Sequence, residues 1–359
     1  MKNNVVDSDF MRCLLDVLDN GYNGAKFDCI FSCNFLPVIS KASYLKKIKY
    51  ISWCYDSPCM TLYSDMIYNP YNYIFHFDSY EVNRLCNVGV NHIYHMPLAV
   101  NTKRVNNIIE NRKVNDNIYS SDITFMGNIY STINDYDNLY KKSSDYLKGQ
   151  FDAILDINEL FQGMDLLDEM IDDSLMSYVK ETIQFTHFDE FNISDADIVK
   201  NIIGRKVSGR DRIRILTKLS QKYKIDLYTT TKMNEIKNIY NKGILDYYNN
   251  MPVVFCNSKI NLNISLRTIR NGIPLRAMDI MGAGGFLISN YQKELDELFI
   301  DGEDMVLYYN DNDLILKVDY YLSHDEERRK IAANGKKKII DMFAYKNVWD
   351  KIFEICGLV

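Results

Sequence analysis

Four short apolar runs dominate the first hundred residues: 28–33 (DCIFSC), 49–55 (KYISWCY), 73–77 (YIFHF) and 92–98 (HIYHMPL). Polar or helix-forming stretches separate them, the clearest being 79–88, which Gly89 stops. Uninterrupted apolar runs of this length are the mark of strands buried on both faces. Strand alternating with helix gives a doubly wound α/β domain, and few other layer arrangements accommodate the pattern. A helix over 7–20, with Phe10, Leu14, Val17 and Leu18 on one face, precedes the first run.

The chain has 359 residues, room for about two domains. Residues 100–121 are polar and Asn-rich and read as a linker, so the first domain is expected over 1–102 and the second over 103–344. The second opens on a strand at 123–126 (ITFM). Residues 132–205, acidic and helix-forming, read as a helical insertion within it. A helix over 208–222 leads to a strand at 224–230, and 252–256 is another short apolar run. Residues 259–267 (KINLNISLR) alternate strictly, which predicts a half-exposed strand. A helix over 274–282 starts on Pro274 and stops at Gly282-Ala283-Gly284-Gly285, before a strand at 286–289. Two helices, 323–343 and 345–356, close the chain. Ser323 and Glu326 are spaced as a capping box for the first of them.

Charge and composition exclude several classes. The net charge is −6, with 42 Lys and Arg against 48 Asp and Glu, so duplex nucleic acid is not an expected partner. No apolar run approaches the ~18 residues of a membrane span, and the first residues lack a secretory leader pattern. The eight cysteines form no CxxC pair and sit mostly in apolar runs. They read as buried thiols of a cytoplasmic protein rather than disulfides or metal ligands. Asp195-Ala196-Asp197 and Asp311-Asn312-Asp313 have a D-x-D spacing, which carries little weight in so acidic a chain; no metal is expected. No Walker A, G-x-S-x-G, H-E-x-x-H or kinase motif is present. The glycines at 282–285 do not make a dinucleotide fingerprint, because there the order is helix, glycines, strand. They do permit a tight turn, with close ligand approach at Gly284 left open.

The strongest chemical signal is an anion site. The polar face of the alternating segment is Lys259, Asn261 and Asn263, and it runs into Arg267, Arg270 and Gly272 just before a helix start. A helix N-terminus adds unpaired N–H groups and about half a positive charge. A solvated strand edge with surface arginines is the alternative reading. Arg276 and Asp279 lie three apart on the following helix, either as an ion pair or with Asp279 free to hold ligand hydroxyls. In the first domain, Asp56 and Asp78 end strands and His95 lies on the fourth run, where open α/β sheets place ligands. Each can serve as a general base. Capping or core hydrogen bonding is the structural alternative for each. His92 and His95 fall on opposite faces and cannot share a metal.

Residues 258–290 (SKINLNISLRTIRNGIPLRAMDIMGAGGFLISN), with Phe299, Gly302 and 320–328 (YYLSHDEER), resemble the CgeB-like, or spore-maturation-protein-like, group-1 glycosyltransferases of bacteria. Residues 126–130 (MGNIY) resemble the motif that opens that family's second domain, and 27–102 resemble its N-terminal domain. The likeness spans most of 27–345. It implies a GT-B fold: two Rossmann-like domains facing across a cleft, with a helical insertion in the second and the last helix, 345–359, returning to the first. It implies a donor site at Gly127, Asn128, Lys259, Asn263, Arg267, Arg270, Gly272 and Asp279, and Tyr130, Tyr228, Thr229, Arg276 and Gly284 are expected to border it. Asp279 falls where relatives place the second acid of an E-x7-E motif that contacts the donor ribose. The first acid falls at Asn271, so it is missing. The family's first domain opens on a strand where this chain opens on a helix, so a shortened first domain is expected.

The resulting expectation is a metal-independent cytoplasmic glycosyltransferase needing no cofactor. It would take a uridine or thymidine diphosphate sugar as donor and a glycan or protein as acceptor. A non-catalytic nucleotide-sugar-binding scaffold and a GT-B-fold nucleotide-sugar epimerase are the alternatives. The sequence specifies neither the oligomeric state nor the stereochemistry of transfer.

Overall fold

A computed structural model describes residues 8–111, 119–161, 166–183, 185, 193–233 and 236–358. The chain forms two compact units. One gathers Met1–Leu98, Phe185–Ile198 and Val348–Val359; the other gathers Ala99–Gln184 and Val199–Asn347.

The first unit is built on a four-stranded parallel sheet of β1 (Cys29–Cys33), β2 (Lys49–Cys54), β3 (Asn72–His76) and β4 (Ile93–His95), in that spatial order. These are the four apolar runs, three of them trimmed at one or both ends and the third shifted back by one residue to begin at Asn72. Parallel pairing in order needs a crossover after each strand. Helices Pro37–Lys46 and Ser79–Asn87 supply two of them. Phe35, Tyr50, Ile74, Val82 and Leu85 pack into one core beneath the sheet. The closing helix Tyr345–Cys356 brings Trp349 against Phe31 and Trp53, at ring separations of 4.8 and 5.7 Å.

The second unit carries a six-stranded parallel sheet in the order β10-β9-β8-β5-β6-β7. Its strands are β5 (Ser121–Met126), β6 (Ile225–Tyr228), β7 (Ile239–Asn241), β8 (Ser258–Asn263), β9 (Leu287–Asn290) and β10 (Val306–Tyr308). β5 and β8 are central, covered on one face by the Ile123–Phe125–Leu262–Ile288 core and on the other by a cluster around Met278, Ile280 and Leu287. Between β5 and β6 lie helices Asn134–Lys142, Asp145–Leu160, Leu167–Met170 and Asp173–Thr182. The 26-residue helix Asp195–Ser220 follows them.

Several expectations are corrected. The alternating segment is not half exposed: in β8 only Lys259 is exposed. Its polar side chains find hydrogen-bond partners inside, Asn261 Nδ2 donating to Phe255 O (2.9 Å) and Asn263 to Ser265 and Ser289 Oγ (3.0 and 2.9 Å), while Asn261 Oδ1 is left without a partner among the described residues. Hydrogen bonding offsets the usual cost of burying an amide donor. The polar stretch expected as a linker contains the helix Thr102–Asn111; its residues 112–118 lie outside the described ones. Residues 252–256 fall in a helix, Met251–Asn257. There is no capping box at Ser323, which ends the helix Asp311–Ser323; the next helix starts at Asp325. The cysteines are all free, but Cys13, Cys33, Cys86 and Cys256 are exposed and only Cys54, Cys59 and Cys356 are buried. Among the described residues, no helix is long and apolar enough to cross a membrane.

Candidate active site

In a parallel sheet every strand ends at the same edge, and the loops leaving that edge collect functional side chains. In the second unit the loop after β5 begins at Gly127, whose φ is +148°. Its N–H donates to Tyr228 O (3.0 Å) at the end of β6. A Cβ at 127 would lie 2.7 Å from Nη2 of Arg276, so only glycine lets that guanidinium approach the backbone. Asn128 Oδ1 accepts from Tyr130 N–H (2.8 Å), an Asx turn that holds Tyr130 at φ +56°. Gly209, on the helix Asp195–Ser220, lets that helix in: a Cβ there would be 2.2 Å from Tyr130 O.

Two arginines meet at this edge. Arg276, in the first turn of the helix Leu275–Gly282, donates to Asn263 Oδ1 (3.2 Å), and its guanidinium stands 4.9 Å from the Phe125 ring centre. Arg212 is 1% exposed. It donates Nε and Nη2 to Ile264 O (3.2 and 2.7 Å) and Nη1 to Asn128 O (2.5 Å). It also stacks on Phe125 and Tyr130, at 5.5 and 5.3 Å. Among the described residues, no carboxylate pairs with either guanidinium. Burial, and then the nearby Arg276 charge, lower Arg212 to about 9; burial lowers Arg276 to about 10. A buried cation beside a half-buried one, with only carbonyls and rings around them, is poised to receive an anion.

The other cations assigned from sequence are already paired. Lys259 lies at the opposite end of β8 from Asn263 and binds Asp122 (2.7 Å). Arg267 Nε donates to Asp211 (2.8 Å), and Arg270 Nη2 to Asp168 (2.7 Å). Asp211 is further shared with Arg214 (2.9 Å). Gly272 is buried in the segment before the helix Leu275–Gly282. Gly284, at φ +78°, forms the turn at the far end of that helix, facing Lys336. The structure thus brings together Gly127, Asn128, Tyr130, Asn263 and Arg276, with Tyr228 and Thr229 on the neighbouring strand end. It leaves Lys259 and Gly284 at the other edge.

Arg276 and Asp279 do not form the intrahelical ion pair. Asp279 is 5% exposed and accepts from Tyr247 Oη (3.0 Å). Burial raises its carboxyl to about 7, with Tyr247 and Arg104 opposing.

In the first unit, Asn34 (φ +59°) ties the end of β1 to the end of β2. Its Nδ2 donates to Asp56 Oδ2 (2.7 Å), and its Oδ1 accepts from Tyr55 N–H (2.7 Å). Asp56 is exposed, its carboxylate oriented by one amide. Asp78 is fully buried: it caps the helix Ser79–Asn87 through Tyr80 N–H (3.1 Å) and accepts from Ser57 Oγ (3.2 Å). Asp78 thus makes the helix cap that the structural alternative describes. His95 ends β4, exposed, in register with the buried His76 of β3. Sequence reasoning missed Asn34, His76 and Arg212. The signal for Arg212 was a cation falling on the buried stripe of its helix, with Ser208, Ile215 and Leu219.

Residues 205–354 match the family described as glycosyl transferase-like. No curated protein matches the chain. Solved structures are similar over almost its whole length. HepE of Anabaena, in complex with UDP and glucose, superposes with TM-score 0.57 at 8% identity, over 98% of this chain and 82% of that one. Sucrose-phosphate synthase from Thermosynechococcus elongatus gives 0.53 at 9%, over 98% and 78%. A glycosyltransferase from Rickettsia africae gives 0.53 at 13%, over 100% and 82%. Residues 205–354 are thus similar to a glycosyl transferase-like domain, in a chain of GT-B fold.

Proposed function

We propose that the enzyme transfers a sugar from a uridine or thymidine diphosphate sugar to a glycan or protein acceptor, in the cytoplasm and without a metal, as a member of the CgeB-like group. The observation that carries this reading is the buried Arg212 beside the half-buried Arg276 at the edge of β5 and β8, with no carboxylate partner among the described residues. A diphosphate supplies the missing negative charge. When the glycosidic bond breaks, charge grows on the departing diphosphate, and donors fixed in advance stabilise it at little reorganisation cost. Arg276 donates directly to the phosphates; Arg212 fixes the Asn128 and Ile264 carbonyls beneath it and adds its field. Asp279 holds the donor ribose. The solved HepE complexes with UDP and with UDP-glucose support the donor class.

Asp56 is the proposed base that takes the acceptor hydroxyl proton, since it is the exposed, amide-oriented acid of the first unit. His95 is the second choice. The test is UDP release from UDP-sugars, with and without an acceptor panel. The reading predicts acceptor-dependent release that Asp56→Asn lowers at least 100-fold in kcat with KM for donor unchanged. Donor binding without release points to a scaffold, and isomerisation of the free donor points to an epimerase; either overturns the proposal.

A further inference from the structure

A groove of about 590 Å³ in the same unit is lined by none of the residues of the arginine pair's site. That volume is within the ~300–1,000 Å³ of typical ligand pockets. One wall is a stripe of the helix Thr102–Asn111: Arg104, Asn107, Ile108 and Asn111, at i, i+3, i+4 and i+7. A stripe with that spacing normally packs on a core. Here the core face is another one, carrying Val105 and Ile109, and this stripe is left facing Tyr248 and Asn249.

The chemistry of the lining is consistent. Tyr248 is 63% exposed. Its ring is backed by Arg104, whose guanidinium stands 5.2 Å from it and donates to Tyr248 O (2.6 Å). The ring is therefore a fixed flat platform. The carboxamides of Asn107, Asn111 and Asn249 make no hydrogen bond among the described residues. Among the described residues Lys103 has no ion-pair partner, and no carboxylate is among those lining the groove. Carboxamides present donor and acceptor together, as vicinal hydroxyls require. An aromatic face suits the apolar side of a pyranose, and the Lys103 and Arg104 charges attract a carboxylate.

We propose that this groove is a binding site for an acidic oligosaccharide, separate from the donor site. The inference does not need the diphosphate reading: it concerns binding alone, while the donor assignment would fail on nucleotide binding. The experiment is calorimetric titration of the full chain with a galacturonic acid hexamer, with maltohexaose, and with inorganic phosphate. The acidic hexamer is expected to bind at least fivefold more tightly than maltohexaose, and phosphate is not expected to compete. Asn107→Ala and Lys103→Glu, both at exposed helix positions, should each weaken the hexamer at least threefold. Tyr248→Ala should weaken it at least tenfold and Tyr248→Trp should restore it, all with UDP affinity unchanged. Equal binding of the neutral hexamer, competition by phosphate alone, no binding, or indifference to Asn107→Ala would each overturn the proposal.

Discussion

Arg276 is the residue on which the donor site turns, and its environment makes an unusual prediction. It is half-buried beside the buried Arg212, so removing it relieves like-charge repulsion as well as deleting a hydrogen-bond donor. Arg276→Met should therefore weaken UDP binding by about 10- to 100-fold, the ~1.5–3 kcal/mol of a charge-assisted bond. It should leave the denaturant midpoint unchanged or raised. Arg270→Gln should change UDP affinity less than twofold, because Asp168 already satisfies Arg270. Both effects are read by titration calorimetry. Asp279 gives a pH signature. Its folded pKa, about 7, lies above the ordinary 3.8, so the folded chain holds this proton more tightly than the unfolded chain. Its contribution to stability is complete below about pH 4, falls as pH rises towards 7, and is flat beyond, a span of up to about 4 kcal/mol. Asp279→Asn has no such proton to lose. Its melting temperature relative to the native chain should rise between pH 4 and 7, as a calorimetric pH series will show. Which arginines stay unpaired was not legible in the sequence. Arg210 and Arg214 flank Arg212 and look identical to it, yet they reach Asp156 and Asp311 while Arg212 turns inward.

At the scale of elements, local pattern and tertiary context contributed differently. The apolar runs that became β2 and β3 were readable because strands buried on both faces hold few polar residues, whereas β1, at the sheet edge, leaves Phe31 and Cys33 exposed. β8 was readable as a strand but not as a buried one. Asn261, Asn263 and Ser265 look solvated until Phe255 O, Ser289 and Asn290 are brought beside them by the fold. The helix Thr102–Asn111 was hidden by its asparagines, whose low helix propensity is overridden by the packing of Val105 and Ile109. The long helix Asp195–Ser220 approaches the Gly127–Tyr130 loop only because residue 209 is glycine. Gly209→Ala should push the two apart. It is expected to cost about 1–3 kcal/mol, typical of overpacking, and to weaken UDP binding in parallel. Urea denaturation and calorimetry on one preparation check the two together.

For the whole molecule, the GT-B architecture is carried by two separate parallel sheets. The chemistry proposed divides between them: anion recognition in the second unit and proton removal at Asp56 in the first. The family match covers 205–354 and so reaches Arg212 and Arg276 but not Asp56. The glycines that the sequence offered as ligand contacts separate by the same logic of scale. Gly127 lies at the ligand edge of the sheet and Gly284 at the opposite one, a distinction that only strand direction supplies. The central claim is that a diphosphate neutralises the Arg212 and Arg276 pair. Its most direct test compares UDP, UMP and uridine by titration calorimetry in the native chain and in Arg276→Met. The native chain should bind UDP at least tenfold more tightly than UMP, with uridine weakest, and the substitution should bring UDP down to the level of UMP. Equal affinity for uridine and UDP in the native chain, or UDP binding untouched by Arg276→Met, would contradict it.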